Sequence, residues 1–341
     1  MTRADVTRRV RSLAMSVVCV VMVTSVTGCG AADTLLGIHE APKVRATAPP
    51  LTVDQAERII TRAFTGAYRG ETTTGAAAAA SQRTAYTGEA LRAVRARAKL
   101  ASVQLMVADS PLLAPQQQQI LAVSRGFSFP RFIVAQGVAS EGGLPILHLL
   151  TSPDAATPYR ISMSAEMLPL AKVKPFDPLS QGSPLVTDGT GLAVAPIALL
   201  NRYAAWMAFP AKAATNLPFA SDSFSGQVRA RAAGVAKAVA SQATFAQVHK
   251  VVTNSAYAVR QASGDVLVFG VIERTDSFAV KSGQTVNTSA NKAFVLLTGK
   301  KKVTKAASIT TLEFVVFAVP RSKGQATLVA AREQIVAGSG S

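Results

Sequence analysis

Apolar positions recur with one period in some stretches of the chain and with another elsewhere. In "LTVDQAERIITRAFTGAYRG", starting at residue 51, Val53, Ala56, Ile59, Ile60, Ala63, Phe64 and Ala67 fall at helical spacing. Thr52 suits the N-cap, and Asp54 suits the positive end of the helix dipole. "GETTTGAAAAASQRTAYTG" reads mostly as loop, with alanines able to form a helical turn. "AYTGEALRAVRARAKLAS" (85–102) reads as an Ala/Arg helix. The period then shortens: "RFIVAQGVA", "LPILHLLT" and "PYRISMSAEM" predict strands separated by "SEGG" and "SPDAAT".

The same order returns after the Pro/Gly-rich segment 168–190. "GLAVAPIALLNRYAAWMAFP" predicts an apolar helix, and "SFSGQVRARAAGVAKAVAS" (223–241) a second Ala/Arg helix aligned with residues 85–102. "AYAVRQA", "DVLVFGVIER", "KAFVLLT", "ITTLEFVVFAV" and "ATLVAAREQIVA" read as strands, with short turns that require antiparallel neighbours. The prediction is an α+β fold of two similar halves, each with helices followed by an antiparallel meander sheet. The domains are 51–170 and 191–338, joined by a connector at 171–190.

The first thirty residues form a separate pattern. Arg3, Arg8, Arg9 and Arg11 precede an uncharged apolar run of about 15 residues, short of the roughly 20 a spanning helix needs. The run ends in Val26-Thr27-Gly28-Cys29, which resembles the lipobox of bacterial lipoproteins. That resemblance implies a signal peptide at 1–28, lipidation of Cys29, a lipidated tether at 29–50, and a location at the outer face of the cytoplasmic membrane. The chain has two cysteines, and Cys19 lies in the apolar run. Cleavage before Cys29 therefore leaves a lone thiol and no intramolecular disulfide, and lipidation accounts for that thiol. The plainer reading is a signal peptide or uncleaved anchor with an incidental cysteine.

Composition sharpens this picture in one respect. The net charge is +17, and without residues 1–28 it is about +14, from 32 basic and 18 acidic residues. Export argues against nucleic acid as partner, leaving anionic lipid headgroups or wall polymers, unless the charge serves solubility alone. The charge is also clustered. On a helix Arg92, Arg95 and Lys99 fall within roughly 60° of one another, with Arg97 to the side. Lys300, Lys301, Lys302 and Lys305 surround one predicted hairpin turn. Both clusters are candidates for contact with an anionic surface; the bland alternative is a solvated face.

Motifs for chemistry are sparse. There is no H-E-x-x-H, C-x-x-C, G-x-S-x-G or complete dinucleotide fingerprint, and no cofactor or metal is expected. His39 lies in the tether, His148 in a strand, and His249 at a helix end or in a strand. The carboxylates of the last strands are Glu273, Asp276 and Glu313.

The lipobox, "FPRFIVAQ" (129–136), "PYRISMSAEMLP" (158–169), the connector and "GLAVAPIALLNRYAAWM" together resemble a group of actinobacterial lipoproteins of unknown function. The resemblance implies no activity. Helices followed by a curved sheet are also similar to the cystatin-like, nuclear-transport-factor-type fold. In isomerases of that fold a carboxylate in an apolar cone acts as general base. Two functions follow: a non-catalytic binding or interaction module at the cell envelope, or an enzyme with a cone-shaped pocket using Glu313 or His148 as base. Glu313 can equally pair with Lys or Arg on the outer face.

Overall fold

The computed structural model describes residues 48–103, 118–138, 143–213 and 215–341. Cys29, His39, the signal segment and most of the tether lie outside the described residues. The described chain opens with helix α1 (Val53–Thr72). Its start is closed by a capping box: Gln55 N donates to Thr52 Oγ1, and Thr52 N donates to Gln55 Oε1 at 2.9 Å, an arrangement worth about 1 kcal/mol. The alanine run forms a full helix, α2 (Gly75–Ala85), in place of the expected loop. Alanine has the highest intrinsic helix propensity, and Gln82 on α2 donates to Gly70 O of α1. Helix α3 (Gly88–Leu100) follows, then strands β1 (Gln119–Val123), β2 (Arg131–Val138), β3 (Pro145–Ser152) and β4 (Arg160–Met167).

The second half has helices α4 (Pro196–Met207) and α5 (Ser223–Val239), then β5 (Ala243–Val251), β6 (Tyr257–Arg260) and β7 (Val266–Val280). Next come a two-stranded ribbon of β8 (Val286–Asn287) and β9 (Lys302–Val303), with α6 (Lys292–Thr298) between them, and the long strands β10 (Ala306–Val319) and β11 (Thr327–Gly340). "KAFVLLT" is thus a helix and not the expected strand. Asn291 caps it by accepting from Phe294 N, and Gly299, at φ 71°, closes it in the left-handed conformation. Periodicity cannot separate a short buried helix from a strand; the caps can.

The fold is α+β, as the sequence predicts, with helices preceding an antiparallel meander in each half. The two meanders are joined in one sheet, ordered β1-β2-β3-β4-β11-β10-β7-β5, with β6 also pairing along β7. Residues 51–170 and 191–338 therefore supply one meander each to a common sheet instead of building separate ones. The join is short, through Met167 opposite Ala330 and Glu166 opposite Ala331.

Strand alternation then sorts the cores. Ile133 and Ala135 of β2 pack with Phe64 and Ala67 of α1, while Phe132 and Val134 face the other way. On β7 and β10, Val268 and Val315 pack with Leu200 and Tyr203 of α4, while Leu267, Phe269, Leu312 and Phe314 share a cluster with Phe132, Val134 and Leu149. The inner faces of the meanders thus bury one another, and helices cover each outer face. Gly270 is required where α4 crosses: a Cβ there would lie 2.6 Å from Leu200 Cδ1.

Each half has helices followed by strands, but the element orders differ, because α6 and the β8–β9 ribbon interrupt the second meander. Tyr86, just before α3, bridges Ile161 of β4 in parallel, and Phe219, just before α5, bridges Ala326, just before β11, also in parallel. Tyr86 thus corresponds to Phe219. The "SFSG" matched to it by sequence lies inside the first turns of α5.

Candidate functional site

The second meander carries a buried ionic network on the face covered by α4 and α5. Its members come from four strands that alternate correctly: Gln247 and His249 on β5, Arg274 and Asp276 on β7, Thr311 and Glu313 on β10, and Glu333 on β11. Gln247 Nε2 donates to Met207 O at 3.2 Å and lies 2.7 Å from His249 Nε2. An amide NH₂ donating to both makes His249 Nε2 an acceptor, so the proton sits on Nδ1 and is donated to Glu313 Oε2 at 2.9 Å. Arg274 NH1 donates to Glu313 Oε1 and to Glu333 Oε2, each at 2.8 Å, and Arg274 NH2 donates to Thr311 Oγ1 at 3.3 Å. Arg231 of α5 also donates to Glu333.

The titrations follow from this arrangement. Burial acts against the charged Arg274, but Glu313, Glu333 and Asp276 outweigh it and raise its pKa. Burial likewise acts against the charged Glu333, and Arg274 and Arg231 outweigh it and lower its pKa. Asp276 goes the other way: burial raises its carboxyl, with Glu313 adding to the effect, against the attraction of Arg274 and Arg231. Asp276 Oδ2 is 3.4 Å from Arg274 Nε, an ion pair without a hydrogen bond, and its buried Oδ1 has no hydrogen-bond partner.

Both candidate bases are thus held in structure. Glu313 has one carboxylate oxygen on Arg274 and the other on His249, and it is fully buried. His148 is fully buried in the first meander, edge-on to Phe64 with ring centroids 4.9 Å apart, and 2.8 Å from Ser164 Oγ through Nδ1. Burial, with Arg332 adding a smaller effect, lowers its pKa to about 3, so the ring is neutral. Neither residue lines the cavities described below. Among the described residues no group of three His, Cys, Asp or Glu could hold a metal, and no helix is long and apolar enough to cross a membrane.

The two basic clusters differ. Arg92 is engaged by Glu89 at 3.2 Å and by Glu273 of β7 at 2.6 Å, and Arg97 pairs with Glu71; Arg95 and Lys99 are exposed. The α3 cluster is thus partly neutralised by a bond between the two halves. Lys300 and Lys301 follow α6, Lys302 begins β9, and Lys305 lies before β10; all four are exposed. They are close in sequence to elements that line an apolar pocket of about 220 Å³, formed by Val239, Phe278, Phe294, Val303 and Ile309, among others. A larger cleft of about 400 Å³ lies between the connector, the start of α4 and β6, lined by Val186, Asp188, Pro196, Ile197 and Tyr257, among others.

Sequence reasoning missed Arg274 and Gln247. The available signal was "ERTD", a charged stretch inside a run long enough to be a buried strand, where Arg274 and Asp276 share one face. It also missed the pocket, whose walls are distant in sequence. No family model, curated protein or solved structure matches this chain.

Proposed function

We propose that this protein is a membrane-anchored extracytoplasmic lipoprotein that acts as a non-catalytic binding module at the cell envelope. A lipid on Cys29 holds it at the outer face of the cytoplasmic membrane. The observation that carries the reading is Cys29 directly behind Val26-Thr27-Gly28, after an arginine-rich start and an apolar run too short to span. A thioether-linked diacylglycerol provides two acyl chains, and at about 0.8 kcal/mol per buried CH₂ these anchor a protein stably without a spanning helix. Its partners are anionic lipids or wall polymers. The strong basic excess supports them, and the non-catalytic reading is supported by Glu313 being engaged with His249 and Arg274 inside the core.

The test is fractionation of cells expressing the wild-type chain or Cys29→Ser. The expected result is membrane association of the first, and either release or accumulation of unprocessed precursor for the second. Unchanged processing and membrane retention of Cys29→Ser would overturn the reading.

A further inference from the structure

The face of the second meander beneath α5 changes character along its strands. β10 presents Glu313, Thr311, Ile309 and Ala307 in turn, and Arg274, Asp276 and Phe278 of β7 stand opposite the last three in register. At about 3.3 Å per residue, this line runs for roughly 20 Å. Its inner end is ionic and its outer end apolar. The apolar end forms the floor of the 220 Å³ pocket, whose walls include Val239 of α5 and Phe294 of α6. The polar side chains at its edge are engaged in holding the rim. Thr288 Oγ1 donates to Lys300 O at 2.8 Å, and Asn287 and Asn291 accept from Ser289 N and Phe294 N, each at 2.9 Å.

The chain around the pocket is rich in lysine, and Lys281 Nζ donates to Ala240 O at 2.6 Å beside the end of α5. Residues 277–312 contain Lys281, Lys292, Lys300, Lys301, Lys302 and Lys305 and no Asp or Glu. All six lysines are exposed, and none forms an ion pair with a described carboxylate. They are close to the pocket by connectivity. Lys302 pairs across the ribbon with Asn287, Lys305 O accepts from Val280 N, and Lys281 and Lys292 directly follow lining residues. α6 packs against the last strand, where a Cβ on Gly340 would meet Phe294 Cζ at 3.0 Å and Lys300 Cγ at 3.7 Å.

We infer that this pocket takes the hydrocarbon chain of a single-chain anionic amphiphile, with the lysine rim holding its carboxylate or phosphate head. The inference rests on the binding-module reading and names its ligand class. The volume is below the ~300–1,000 Å³ of pockets for drug-sized ligands, which suits one chain better than two. Charge fixes the orientation: lysines outside attract the anionic head, while the cation at the inner end, Arg274, is already engaged by Glu313, Glu333 and Asp276 and is not open to it.

The experiment is calorimetric titration of the full chain carrying Cys29→Ser with dodecyl phosphate, dodecanoate and dodecyltrimethylammonium, each below its micelle concentration. The anionic amphiphiles are expected to bind saturably at one site per chain, more weakly as salt rises, and the cationic one at least about tenfold more weakly. A preference between phosphate and carboxylate identifies the head group. Ala290→Trp, at an exposed lining position, should obstruct the chain and weaken binding about tenfold or more. Joint replacement of Lys292, Lys302 and Lys305 by Gln should reduce both affinity and its salt dependence with thermal unfolding unchanged. Absence of saturable binding, equal binding of the cationic amphiphile, or insensitivity to both sets of substitutions overturns the inference. Fractionation of Cys29→Ser is read separately. Release from membranes without amphiphile binding sinks the pocket and leaves the anchored module; amphiphile binding with unchanged processing and retention does the reverse.

Discussion

Glu313 Oε2 accepts a hydrogen bond from His249 Nδ1 at 2.9 Å, and neither side chain is exposed. The other oxygen of Glu313 accepts from Arg274. Removing one member of such a group leaves an uncompensated buried charge. Arg274→Ala is therefore expected to destabilise the fold by about 3–5 kcal/mol in denaturant unfolding. Joint replacement of Arg274 by Met and Glu313 by Leu should cost less than Arg274→Ala alone, because no lone Glu313 charge is left. A double variant less stable than the single one by several kcal/mol would refute this account.

His148 makes a prediction about acid. Its pKa is about 3 in the fold and about 6.5 in an unfolded chain, so the unfolded state binds the extra proton between these values. Stability from this residue is fully present above about pH 6.5 and falls as pH is lowered toward 3, by on the order of 1.4 kcal/mol per pH unit. His148→Leu should flatten this part of the stability–pH curve. Parallel curves for the two proteins would show that His148 titrates normally.

Arg92 and Glu273 bind the halves together, but the side chains are 40% and 35% exposed. Arg92→Ala is expected to cost only about 0.2–1 kcal/mol, with the difference shrinking at high salt. A loss of several kcal/mol would mean that this contact is a principal fastening between the meanders.

Gly270 faces Leu200 of α4. Gly270→Val is expected to destabilise by about 1–3 kcal/mol, because backbone or helix must shift to admit the side chain. Leu200→Ala introduced together with Gly270→Val should recover part of that loss; strictly additive losses in thermal unfolding would contradict the contact.

The shared core predicts that neither half is soluble alone. A chain of residues 191–341 leaves Leu267, Phe269, Leu312 and Phe314 without Phe132, Val134 and Leu149. It should bind a hydrophobic dye and associate, unlike the full chain. A monomeric fragment with cooperative unfolding would show that the second meander folds independently.

The sequence by itself determined the alternation of helical and strand periods and the antiparallel connections, because these depend on neighbours a few residues apart. Thr52 with Gln55, and the alternation of Phe132, Ile133, Val134 and Ala135, are readable in this way. Tertiary structure alone decided what each face meets. Alternation assigns Phe132 and Phe314 to a face, but not to the same core; that follows from the two-pair join of β4 to β11. The same holds for Glu313: in sequence it is one carboxylate in an apolar strand, equally suited to a pocket or to an ion pair. Its partners His249 and Arg274 are 64 and 39 residues away and reach it only when β5, β7 and β10 fall into register. "KAFVLLT" became a helix because Asn291 and Gly299 cap a segment too short for its own period to decide.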